Sequence, residues 1–161
     1  MQNSGSVVLG ELLSPARIAL NLESNDRESV LGELVNCIPE LADRPDARET
    51  LLRALHEREQ LHSTGIGDGI ALPHSRNALV GLVDAPVVVF GRHAHGIAYD
   101  APDAIPARLF FLVVAPTVTQ HLAILARLIR LLHDPKLRQA LLTADEAEKV
   151  VALIAKAEAK L

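Results

Sequence analysis

The stretch Ser63-Thr64-Gly65-Ile66-Gly67-Asp68-Gly69-Ile70-Ala71-Leu72-Pro73-His74 joins three glycines at alternate positions to a short apolar segment that stops at a proline and ends in a histidine. A histidine delivered this way stands at the end of a rigid element, beside a flexible loop. That position suits a side chain that must meet another molecule, and phosphoryl-carrying histidines are one class that needs it. Glycine loops also cradle nucleotides, but a P-loop requires GxxxxGK[ST], and the chain has no Lys-Ser or Lys-Thr. The dinucleotide fingerprint runs strand, GxGxxG, helix; here the predicted order is helix, GxGxG, strand, which makes nucleotide binding a poor reading. A tight connection with positive φ accounts for the glycines. It does not account for the Pro-His terminus.

Outward from this run the chain alternates helical and β-rich segments. Upstream, Val8-Leu9 with Leu12-Leu13 suggests a short helix or turn ending near Pro15, and Arg17 to Leu22 alternates like a strand. Asn25 and Glu28 have capping-box spacing and predict a helix with Val30, Leu31, Leu34, Val35, Ile38 and Leu41 on one face, ended or kinked by Pro39. A second helix is expected from about Asp46 to Gln60, using Leu51, Leu52 and Leu55. Ile70-Ala71-Leu72 reads most simply as a buried strand. Ala85 to Phe90 and Arg108 to Val114 are further strand candidates, nearly all apolar, as in a sheet covered on both faces. Thr119 or Thr117 caps a predicted helix from Gln120 to His133, with Leu122, Leu125, Ile129 and Leu132 inward. Asp134-Pro135 begins a shorter helix to about Leu142, and Thr143 with Glu146 begins another. The mixture predicts an α/β fold, a three-layer sandwich with helices on both faces of the sheet. Residues 1–6 read as a flexible tail and 7–161 as a single domain.

Composition narrows the classes. The chain has 161 residues, enough for one domain with a substantial core, and 49% of them are apolar. With no Trp, one Tyr and three Phe, that core is aliphatic. A net charge of −4 without long runs of one sign argues against a nucleic-acid partner, though it does not exclude a local basic patch. Cys37 is the single cysteine, which rules out an intrachain disulfide and reads as a buried small hydrophobe. Leu122 to Leu132, the longest apolar candidate, is broken by Arg127 and Arg130 and falls short of the roughly 20 residues of a membrane span. The N-terminus lacks the pattern of a signal peptide. A soluble, cytoplasmic protein is expected.

Among seven histidines, His93-x-His95 has the spacing of a metal pair on one strand face, but without cysteine or a clear third ligand an ordinary loop is the favoured reading. His121 falls in the first turn of a predicted helix, where backbone N–H groups and the dipole favour an anion. On spacing alone it reads equally as an exposed helix-start residue. Arg58, between Glu57 and Glu59, reads on its own as part of a solvated helix face.

The segment Arg58-Glu59-Gln60-Leu61-His62-Ser63-Thr64-Gly65-Ile66-Gly67-Asp68-Gly69-Ile70-Ala71-Leu72-Pro73-His74 closely resembles the signature of the type-2 enzyme IIA domain of the bacterial phosphotransferase system, its fructose/mannitol and nitrogen-regulatory branch. That signature reads roughly RE-x-x-x-STGIG-x-GIA-[IL]-PH, and every fixed position is met. Glu11-Leu12-Leu13-Ser14-Pro15 with Ile18, Ile97 to Asp103, and His121-Leu122 extend the resemblance over nearly the whole chain. Two departures stand out: Ala104 lies where Gly or Asn is common, and Ser75 where Gly or Ala is common.

The resemblance implies a mixed sheet between helices and a phosphoryl group accepted on Nε2 of His74, with Arg58 and His121 in support. It implies no metal or organic cofactor. The donor would be HPr or its nitrogen-branch equivalent. With no transporter or second carrier domain attached, the sequence looks most like the nitrogen-regulatory type, whose partners are transporters, sensor kinases or metabolic enzymes. The alternatives are a sugar-specific component serving a separate enzyme IIB, and a binding module that acts without phosphoryl transfer.

Overall fold

The computed structural model describes residues 7–161; the predicted tail 1–6 lies outside the described residues. In chain order the elements are α1 (Leu9–Leu12), β1 (Ile18–Ala19), α2 (Arg27–Val35), α3 (Pro45–Leu61), β2 (Gly65–Gly67), β3 (Ile70–Ala71), β4 (Val87–Ile97), β5 (Ala107–Val114), α4 (Val118–Leu131), α5 (Pro135–Thr143) and α6 (Ala147–Glu158). The strands form one mixed sheet in the order β1-β4-β5-β3-β2. β4 and β5 pair antiparallel through its middle. β1 joins β4 in parallel, β3 joins β5 in parallel, and β2 folds back antiparallel on β3.

Strand β5 shows why the sheet is covered on both sides. Phe110, Leu112 and Val114 point into a core shared with Leu31 and Leu34 of α2 and Leu51 and Leu55 of α3. Leu109, Phe111 and Val113 point the other way, among residues of α1, α4, α5 and α6 such as Leu9, Ile124, Leu141 and Ile154. Each such buried side chain stabilises the fold by about 1.5–3 kcal/mol. The three-layer α/β sandwich expected from the sequence is the architecture observed. A polar cluster around one carboxylate ties the first and last helices together. The buried Glu158 carboxylate at the end of α6 accepts from the Leu9 and Gly10 amides at 2.6 and 3.1 Å, and from Arg127 Nε at 2.6 Å.

Several local expectations are corrected. The strand predicted over Arg17 to Leu22 shortens to Ile18–Ala19, because Pro15 opens a 3₁₀ turn that runs to Arg17. Asp26, not Asn25, caps α2, accepting from the Ser29 amide at 2.7 Å. Asn25 instead accepts from His93 Nε2 at 3.3 Å. α2 stops at Val35, and Pro39 starts a separate 3₁₀ turn that still buries Ile38 and Leu41. The last helix starts at Ala147; Thr143 closes α5, its hydroxyl donating to the Gln139 carbonyl at 3.2 Å. The inner stripe of α4 is His121, Ile124, Leu128 and Leu131, with Leu132 buried just beyond the helix. Leu122 and Ile129 face outward and Leu125 is half-buried, because this helix is apolar on two neighbouring faces and spacing alone does not choose between them.

His93 and His95 lie on β4 where its register shifts, and not in a loop. His93 Nδ1 accepts from the amides of His95 and Gly96 at 3.2 and 2.9 Å, so the ring is bound into the bulge. Among the described residues, no three side chains suited to a metal come together. Cys37 is half-buried, its thiol pushed up by burial and by Glu33, as fits an unreactive packing residue.

The turn after Tyr99 explains one departure from the family pattern. Ala104 has φ +60°, in the left-handed region where Gly or Asn is favoured, and its amide donates to Ala101 at 3.0 Å. Ala104→Gly should raise stability by about 0.5–1 kcal/mol, read as a higher urea midpoint with unchanged slope. An unchanged or lower midpoint would show that the turn carries no strain.

Candidate functional site

The glycine run forms a tight hairpin. Gly67, Asp68 and Gly69 have φ of +95°, +57° and +77°, which turns β2 into β3. Asp103 Oδ2 accepts from the Asp68 amide at 2.8 Å and binds the turn to the 101–105 loop. A Cβ placed on Gly67 would lie 3.0 Å from that oxygen, so the Asp103 carboxylate would have to give way, and the φ of +95° itself strains any other residue there. β3 then runs parallel to β5. Its continuation carries His74 into a parallel bridge with Val113, while the Val113 amide donates to Pro73 at 3.0 Å.

His74 is half-buried at this end of the sheet. Its Nδ1 lies 2.6 Å from the Leu72 carbonyl oxygen. A carbonyl only accepts, so Nδ1 carries the hydrogen and Nε2 of the neutral ring presents its lone pair. His121, buried in the first turns of α4, meets it edge to face, with ring centroids 5.4 Å apart and planes at 61°. Thr117 caps α4 by accepting from the Gln120 amide at 3.2 Å. The N-terminal turns of that helix therefore lie beside the histidine pair, a favourable setting for negative charge.

Arg58 lies on the last turn of α3, where one Nη donates to the His62 carbonyl at 2.5 Å. That contact caps the helix and fixes the guanidinium. With five N–H donors in all, the fork retains donors for an anion. A groove of about 510 Å³ separates Arg58 and Leu61 from Ser75, Arg76 and Asn77 in the segment after His74. Arg58 is near enough to His74 to act on its ionisation. Of the three residues singled out in the sequence, His121 meets the His74 ring and Arg58 acts on it through its charge.

The sequence reading passed over Glu59, Thr64, Tyr99 and Arg76. Glu59 is buried, and it continues the stripe of Leu51 and Leu55 at intervals of four. An acidic residue on an apolar stripe was the signal available. Tyr99, the one tyrosine, is also buried and donates to Glu59 at 2.9 Å. Arg76 carried no such signal. Val118 and Leu122, on the first turns of α4, and Ile66, in the hairpin, add exposed apolar surface.

Residues 11–157 match the family described as the phosphoenolpyruvate-dependent sugar phosphotransferase system, EIIA 2. The chain belongs to that family, and so is a phosphotransferase-system component of the EIIA type. It is 36% identical over 146 residues to the fructose-specific EIIABC component of Bacillus subtilis, matching 89% of this chain but only 22% of that protein. It is 30% identical over 148 residues to the nitrogen regulatory protein of Pseudomonas aeruginosa, covering 91% of this chain and 94% of that one. In three dimensions it superposes on the nitrogen regulatory protein IIA-Ntr of Neisseria meningitidis with a TM-score of 0.80 at 29% identity, over 92% and 99% of the two chains. Among the described residues, no helix is long and apolar enough to cross a membrane.

Burial holds both His74 and His121 below the ordinary histidine value of about 6.5; Arg58 lowers His74 further, and His74 lowers His121. The unfolded chain therefore takes up protons first. Their contribution to stability is present above about pH 6.5 and is lost as pH falls through the folded midpoints. Imidazole NMR titration should give both midpoints below 6.5, and Arg58→Ala should move His74 upward. A His74 midpoint that stays put in that variant would separate Arg58 from the site.

Proposed function

We propose that His74 is a phosphoryl carrier, taking the group on Nε2 from a phosphohistidine of HPr or an HPr-like protein. The observation that carries this reading is the Nδ1–Leu72 contact at 2.6 Å, which leaves Nε2 as the nucleophile. The Nε2 lone pair attacks phosphorus, the P–N bond of the donor breaks, and its electron pair returns to the donor imidazole. Nδ1 of His74 keeps its hydrogen, so the phosphorylated ring is cationic and the Leu72 carbonyl stabilises it. Arg58 supplies a planar donor fork to the phosphoryl oxygens, the neutral His121 ring a further N–H donor, and the N-terminus of α4 positive potential. Transfer of this kind depends on positioning and charge neutralisation. The depressed ionisation of His74 keeps the nucleophile neutral at pH 7. Val118 and Leu122, exposed one turn apart at the start of α4, give a small apolar docking surface for the donor, suited to a brief encounter.

Two branches fit this chemistry. Correspondence with nearly the whole length of the Pseudomonas nitrogen regulatory protein supports a regulatory role, in which transporters or sensor kinases read the phosphorylation state. The 36% identity to the fructose-specific EIIABC component supports delivery to an enzyme IIB. We favour the regulatory branch, and place the protein in the cytoplasm with its donor. The reading without phosphoryl transfer leaves the convergence of His74, His121 and Arg58 unused.

With phosphoenolpyruvate, enzyme I and HPr present, the protein should acquire one acid-labile phosphoryl group, and His74→Ala should not. Arg58→Ala should slow the transfer roughly a hundredfold, in line with removal of one transition-state donor, with unchanged circular dichroism. Labelling that survives in His74→Ala would refute the assignment. Candidate enzymes IIB offered to the labelled protein distinguish the branches: transfer to one of them favours the sugar-specific role.

A further inference from the structure

A buried carboxylate stands behind the histidine and takes no part in the transfer described above. Glu59 follows Arg58 on the last turn of α3 and is only 5% exposed. Its Oε1 accepts from the Thr64 amide at 2.9 Å, and its Oε2 accepts from the Thr64 hydroxyl and, at 2.9 Å, from the Tyr99 hydroxyl. A buried carboxylate is costly unless each contact is made, and removing it strands three donors.

The bonds continue beyond Thr64. Its carbonyl accepts from the Leu72 amide at 3.0 Å. The Leu72 carbonyl in turn accepts from His74 Nδ1 at 2.6 Å. Glu59, Thr64, Leu72 and His74 thus form one chain of bonds, running from the end of α3 across the start of β2 and the end of β3 to the imidazole. The amide and carbonyl of Thr64, and those of Leu72, lie in different peptide groups, so the link is one of position: Glu59 fixes Thr64, Thr64 fixes Leu72, and the Leu72 carbonyl is thereby held where it meets His74 Nδ1. Tyr99 closes the far side. Arg27 lies over its ring at 5.8 Å, and the Tyr99 carbonyl accepts from the Ser63 hydroxyl.

We propose that Glu59 is a positioning residue for His74, acting through Thr64 and Leu72 to hold the imidazole in the Nδ1–H form with Nε2 directed at the incoming phosphoryl group. The proposal rests on His74 as the acceptor, but its main consequence is measurable without any phosphoryl donor. Glu59 also acts directly on the ring, its charge holding the His74 midpoint up against burial and Arg58.

The test uses Glu59→Gln and the isosteric Thr64→Val in the full chain, with ¹⁵N-labelled histidine. Long-range ¹H–¹⁵N spectra report the tautomer of His74, and a pH series reports its midpoint. The wild-type protein should show Nδ1–H almost alone. Glu59→Gln should bring in the Nε2–H tautomer, lower the His74 midpoint and slow phosphoryl acceptance about tenfold. Thr64→Val, which removes the hydroxyl arm alone, should shift the tautomer in the same direction and slow acceptance about threefold. If Glu59→Gln fails to fold, Thr64→Val decides. A wild-type tautomer in the folded variants overturns the proposal, even where acceptance is slower, since the effect would then bypass His74. Failure of the wild-type protein to accept phosphate would instead refute the carrier reading and leave the tautomer result standing.

Discussion

The bridge between His74 and Val113 rests on the parallel pairing of β3 with β5, and the candidate site is built around that contact. β5 lies in the middle of the sheet, fixed by its long antiparallel pairing with β4 and buried on both faces. It supplies the edge against which His74 is set. The same strand then leads through Thr117 into α4 and so delivers His121 to the same place. Parallel strands send their carboxyl ends to one side, the side where open α/β sheets bind ligands. Two residues far apart in sequence are therefore brought into contact by a single rigid strand.

Around that strand the charges are arranged to keep an imidazole neutral in a place that favours anions. Burial and Arg58 depress the ionisation of His74, and His121 is depressed by burial and by His74 itself. In the proposed transfer, the neutral ring keeps its lone pair, while Arg58 and the start of α4 supply positive potential for the phosphoryl group. The buried Glu59 works against the depression, and its bonds through Thr64 and Leu72 connect the helix that carries Arg58 to the strand that carries His74. The two sides of the site are held in register by that connection.

Much of this was legible in the sequence, for reasons that particular residues show. The glycines at 67 and 69 do adopt positive φ, and Pro73-His74 does end a buried strand. α3 is close to its predicted bounds because Pro45 opens it and the polar run before Gly65 closes it. What was missed depended on tertiary contacts. Leu122 was expected inward and is 59% exposed, since the packing of His121 against His74 fixes how α4 is turned. Asn25 has good cap spacing, yet its side chain is taken by His93, and Asp26 caps the helix in its place. Glu59 was passed over because no local rule brings Thr64 and Tyr99 to it. Ala104, noted only as a departure from the family pattern, proved to sit in the left-handed conformation that explains the pattern.

In the proposed chemistry, one nitrogen of one ring carries the phosphoryl group because the other is held by the Leu72 carbonyl. A ³¹P and ¹⁵N spectrum of the phosphorylated protein, prepared with ¹⁵N-labelled histidine, tests it directly. One phosphorus should couple to Nε2 of His74, with Nδ1 still bearing its hydrogen. Phosphorus bonded to Nδ1, or to any residue other than His74, would contradict it.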